Sequence, residues 1–213
     1  MTYVNIFLAS SLDDLAGDRE AIGNYIRWLN KIYEPRGVRF ELYECEQDSI
    51  AMSKKRKQEE YNKKILDSQL FMAMFFNKAG KYTLEEFDIA YRCFEETDAP
   101  AIITFFRQGE GNETEQSVLD FMKRLDEELG HYFKKYTHID SLKFWLLMQL
   151  KLMNLDVSVE VENSRVMVGG QEALTLENIP MWSKNANFQQ LKAEYETLEK
   201  ARLDAKAAAK DPI

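Results

Sequence analysis

The chain has 213 residues, of which 45% are apolar, 12% aromatic and 30% charged, the balance of a globular protein with a real core. Its formal net charge of −8 excludes the lysine and arginine excess that marks general binders of nucleic acid or anionic membranes. The two cysteines, Cys45 and Cys93, offer no disulfide framework, so a reducing, cytoplasmic setting is expected.

Residues 1–8 have neither the basic start nor the long apolar stretch of a signal peptide. Residues 4–9 form a strand-like run that ends at Ser10-Ser11. Leu15, Ile22, Ile26, Leu29 and Tyr33 then recur at helical spacing until Pro35-Arg36-Gly37 stops the pattern. Val38 to Tyr43 alternates apolar and polar residues, which suits a strand near a sheet edge. A charged helix is expected over residues 53–67, where Lys54-Lys55-Arg56-Lys57 followed by Glu59-Glu60 reads as a solvated face. Residues 70–76 are all apolar, the mark of a central strand buried on both faces. A loop at 77–80, a helix through Cys93, a break at Asp98-Ala99-Pro100 and a fourth strand at 101–106 follow.

This fourfold alternation predicts right-handed crossovers and a flavodoxin-like α/β fold, a parallel sheet flanked by helices. Ligands of such sheets bind beyond the strand C-termini, near the switch point of strand order. The predicted rim is Ser10-Ser11, the segment after Tyr43, the loop after Phe76, and Arg107-Gln108-Gly109.

Beyond Gly111 the character changes. Val118, Phe121, Leu125, Leu129 and Phe133 predict one long helix, and residues 142–153 a buried apolar one. The latter contains Lys143, Gln149 and Lys151 and is too short to span a bilayer. Residues 157–161 and 166–168, joined through Asn163-Ser164, read as a hairpin ending at Gly169-Gly170. From Asn187 a helical tail carries the seam Phe188, Leu191, Tyr195 and Leu198, which invites another helix. The expected organisation is an α/β domain at 1–135, a helix and hairpin extension at 136–185, and a helical tail at 186–213 leading into a further region or a C-terminal partner.

Several chemistries find no motif. No glycine-rich phosphate loop follows the first strand, and no Gly-x-Ser-x-Gly elbow occurs. His131 and His138 have no acid or cysteine cluster at ligand spacing, so both are expected on solvated surface and no metal is expected. The informative segment is Tyr82-Thr83-Leu84-Glu85-Glu86-Phe87-Asp88-Ile89-Ala90, at the rim after the central strand. Its structural reading is a capping box, with Thr83 as N-cap and Glu86 reaching back from the first turn, held ionised by the helix dipole. Its chemical reading is a rim carboxylate one turn after an aromatic.

The strand ending in Ser10-Ser11, Arg19 in the next helix, the central strand 70–76 and the aromatic-x-x-x-Glu of Tyr82 and Glu86 together resemble a bacterial TIR (Toll/interleukin-1 receptor-like) domain over residues 1–135. Catalytic TIR domains carry Trp-x-x-x-Glu; Glu86 matches the glutamate, and Tyr82 stands where the tryptophan usually does. The resemblance implies an NAD+ glycohydrolase with NAD+ as substrate and no separate cofactor, releasing nicotinamide and ADP-ribose or cyclic ADP-ribose in defence or signalling. Glu86 would be catalytic, and Tyr82, Ser10 and Ser11 would bind substrate. It also implies activation by self-association, with the loop at 45–52 ordered by a neighbour. Two other readings stand beside it: a non-catalytic TIR scaffold, and a nucleoside deoxyribosyltransferase-like enzyme on a similar sheet.

Overall fold

A computed structural model describes residues 1–44, 57–109, 114–153, 159–162 and 164–179, and divides the chain into two units, Met1–Thr137 and His138–Ile213. The expected loop at 45–52, the basic run Lys54-Lys55-Arg56 and the helical tail from Asn187 lie outside the described residues.

In the first unit, β1 (Thr2–Ser10) leads into α1 (Leu12–Tyr33), which a single turn at Glu34–Arg36 and Gly37 at φ 82° bring to a close. The strand β2 (Val38–Tyr43) follows, then α2 (Lys57–Leu66), β3 (Leu70–Phe75), α3 (Lys81–Thr97), β4 (Ala101–Arg107), α4 (Gln116–Lys123) and β5 (Phe133–Tyr136). The five strands form one all-parallel sheet in the order β2-β1-β3-β4-β5. This is the expected flavodoxin-like α/β arrangement. Every residue of β3 is buried, as its unbroken apolar run demands, whereas β2 at the edge buries only Phe40.

The order in which strands are added reverses at β1, so the switch point lies between β1 and β3. The step from β1 to β2 runs one way along the sheet, and every later step runs the other. Right-handed crossovers therefore put α1 on one face and α2, α3 and α4 on the opposite one. The second face is an aromatic core. Phe7 and Phe71 stack with centroids 5.6 Å apart, Phe87 meets Phe121 edge-on at 5.0 Å, and Phe121 lies 4.8 Å from Phe75. Phe121→Leu is expected to cost about 1–2 kcal/mol of stability, because the cavity left among rigid rings closes only in part. Chemical denaturation should show a lower midpoint with an unchanged slope; an unchanged midpoint would mean that α4 contributes little to this core.

The long helix expected through Phe133 ends earlier. Beyond α4 the chain makes one π-helical turn at Arg124–Glu128, Gly130 at φ 58° ends the run, and Phe133 belongs to β5. Phe133 falls at the same four-residue interval as Leu125 and Leu129, so periodicity alone carried the helix too far. The strand has only four residues, and its exposed Lys134 and Lys135 disguise it.

In the second unit, α5 (Ile139–Leu152) begins at the His138 N-cap, whose Nδ1 accepts from the Asp140 amide at 3.2 Å. Asp140 is held by Lys143 at 3.0 Å and Asn178 at 2.8 Å. The hairpin is part of a three-stranded antiparallel sheet, β6 (Val159–Glu162), β7 (Arg165–Val168) and β8 (Gln171–Thr175). Gly169 and Gly170, at φ 57° and 80°, form a second turn rather than an end. Among the described residues no helix is long and apolar enough to cross a membrane.

Candidate active site

Ser10 is the last residue of β1 and only 7% exposed. Its Oγ accepts a 2.6 Å hydrogen bond from Nη1 of Arg19, which is itself buried on α1. Because Ser10 accepts there, its own hydroxyl hydrogen remains to be donated. Ser11 is half-buried at the N-cap of α1, and its side chain makes no capping bond.

Glu86 approaches from the opposite face of the sheet. The helix carrying it starts earlier than the capping-box reading expects. Gly80, in extended conformation, is the N-cap, and its carbonyl accepts the first helical bond from the Leu84 amide at 3.0 Å. Thr83 is thus a buried residue inside the first turn, and Glu86 stands in the second, too far along to cap it. Glycine is itself an acceptable N-cap, so Thr83 was not needed there.

Nor is Glu86 kept ionised by the helix end. Its side chain is 8% exposed, and burial lifts its carboxyl from 4.5 to about 7, against a downward pull from the Arg19 charge and a small upward push from Glu85. Among the described residues it accepts no hydrogen bond and forms no ion pair within 4.0 Å. A carboxyl only 8% exposed, with its pKa raised by burial and an arginine acting on it, is a candidate for chemistry rather than structure. The adjacent Glu85 is half-exposed and pairs with Lys81 at 3.6 Å, an ordinary helix-surface contact.

The charge on Arg19 therefore acts on both Ser10 and Glu86, at the β1–β3 switch point. Tyr82 lies on the first turn of α3, one turn before Glu86, and is 70% exposed. It is not a core residue.

Sequence reasoning missed a second polar group on the same rim. The Tyr136 hydroxyl donates to Asp18 Oδ2 at 2.6 Å, and Arg107 Nη1 donates to the same oxygen at 3.1 Å. Burial and the Asp18 carboxylate push the Tyr136 hydroxyl pKa far up, so it stays protonated. Asp14, one turn before Asp18, accepts from the Asn77 amide at 3.1 Å through Oδ2, while its buried Oδ1 has no partner among the described residues. The four-residue spacing of Asp14 and Asp18 on α1 was the available signal. His131 also departs from expectation. It is half-buried, 3.1 Å from Thr104 Oγ1, and burial lowers its pKa. Among the described residues no group of histidine, cysteine and acidic side chains could hold a metal ion.

No protein-family model matches the chain, and no curated protein matches it.

Proposed function

We propose that the Met1–Thr137 unit is a TIR-like NAD+ glycohydrolase. The observation that carries the reading is Glu86, a buried carboxyl without a hydrogen-bond partner among the described residues, set beside Arg19 and Ser10 at the switch point of a parallel sheet.

The chemistry asks for little more. The bond between ribose C1′ and the nicotinamide nitrogen breaks with its electron pair going to the ring, which leaves as neutral nicotinamide without needing a general acid. Positive charge develops on the ribose, and an ionised Glu86 stabilises it from a site with little competing water. Water then adds to C1′, and its proton passes to Glu86 or to solvent, giving ADP-ribose. Attack by a group of the same substrate would give the cyclic product. Ser10 donates to a ribose hydroxyl or to the carboxamide oxygen. Arg19 fixes Ser10 and tempers Glu86. The cationic substrate lowers the Glu86 pKa further, so binding and deprotonation reinforce each other.

Tyr82 offers its ring face to the pyridinium at the entrance. Tyr82→Ala is expected to raise KM for NAD+ about fivefold with kcat little changed, and Tyr82→Trp to keep or improve affinity, as about 1 kcal/mol of cation–π contact implies. Steady-state kinetics of the two variants would decide it, and an unchanged KM in Tyr82→Ala would remove Tyr82 from the site. Self-association as the activating event belongs to the same proposal. Specific activity measured against protein concentration should then rise with concentration, and a flat response would exclude it.

A further inference from the structure

A cavity of about 190 Å³ opens at the rim beyond β4, and none of the residues assigned to NAD+ cleavage lines it. One side of it is apolar, formed by the Phe76 and Phe106 rings with Val118, Leu119 and Met122 of α4, while Gln108 and Thr114 add polar groups. Two cations, Arg107 and Lys135, also line it, and among the described residues no acidic one does. Arg107 is held in place. One N–H is bonded to Asp18 at 3.1 Å, and the guanidinium lies 5.2 Å from the Phe76 ring centroid. Asp18 offsets much of the Arg107 charge, so Lys135 supplies the net positive potential while Arg107 adds further donors at a fixed position. Gly109 sets how closely the loop after β4 approaches this wall, since a Cβ there would stand 3.0 Å from Phe76 Cζ.

We propose that this cavity is a second ligand site, for a small anion with an apolar ring or chain, such as an aromatic carboxylate. The volume decides the size class. It is well short of the roughly 300–1,000 Å³ of a drug-sized pocket and suits a single ring with one charged substituent. The mixture decides the chemistry. The apolar side disfavours a bare, strongly hydrated anion, and two cations with no acid among the described lining residues disfavour a neutral or cationic guest. The site is independent of the NAD+ reading, because it shares no residue with it.

Three probes separate the contributions: benzoate, benzamide with the same shape and no charge, and inorganic phosphate with charge and no apolar body. Each is titrated into the full chain, and binding is followed through the methyl resonances of Val118, Leu119 and Met122. Benzoate should bind at least tenfold more tightly than either other probe. Lys135→Gln should weaken it about fivefold. Leu119→Glu, which adds a carboxylate at a half-exposed position of the wall, should weaken it more. Both residues are exposed, so neither substitution threatens the fold. Equal binding of benzoate and benzamide, phosphate binding as tightly as benzoate, indifference to both substitutions, or no binding of benzoate would each overturn the proposal.

Discussion

Glu86→Gln is expected to abolish NAD+ cleavage, with a loss of at least about a thousandfold, and to melt at a higher temperature than the wild-type chain above pH 7. The two effects share one cause. The folded-state pKa of Glu86 is raised from 4.5 to about 7, so the folded chain keeps a proton that the unfolded chain has released. The associated stability is fully present below pH 4.5 and is lost as pH rises through about 7. At pH 8 the buried charge costs up to about 3 kcal/mol, which the isosteric amide avoids, whereas at pH 5 the difference shrinks to about 1 kcal/mol or less. Melting curves at the two pH values should diverge by several degrees at pH 8 and nearly coincide at pH 5. A variant that melts below the wild type at both would show that Glu86 is ionised and structurally bound, contrary to the site described above. Glu85→Gln, altering a half-exposed helix pair, should leave both melting and activity nearly unchanged.

Arg19→Gln is the second large effect. It removes the positive charge that opposes burial at Glu86 and the donor that holds the Ser10 hydroxyl at 2.6 Å. The Glu86 pKa should rise by a further unit or more, a typical effect of losing one close opposite charge. At pH 7 activity should fall tenfold or more, and part of it should return at alkaline pH as Glu86 ionises. Arg19→Lys, which keeps the charge but not the planar fork, should lie between the two. Carbon NMR of the Glu86 carboxyl reports the shift without reference to any substrate. An unmoved titration would free Glu86 from Arg19 even if activity were lost.

The sheet was legible because its signals are local and repeated. The seven apolar residues from Leu70 to Phe76 admit few readings other than a central strand, and the alternation over 38–43 marks an edge. β5 was not legible, because four residues with two exposed lysines carry no period of their own and are defined by pairing with β4. Glu86 was singled out by its place after an aromatic, but its second-turn position and its raised pKa follow from where the helix starts and from what buries it. The Asp18–Arg107–Tyr136 group illustrates the same limit. Asp18 meets Arg107 and Tyr136 across 89 and 118 residues, and the spacing of Asp14 and Asp18 on α1 names neither of these partners.

In the proposed reaction an ionised Glu86 stabilises the charge that develops as NAD+ is cleaved. The most direct test incubates the purified full chain at high protein concentration with NAD+ from pH 5 to pH 9 and follows nicotinamide release by chromatography, with Glu86→Gln alongside. Release by the wild type should rise with a single ionisation at or somewhat below pH 7, the bound cation drawing the pKa down, and Glu86→Gln should release none at any pH. No release by the wild type across the range, or equal release by Glu86→Gln, would contradict it.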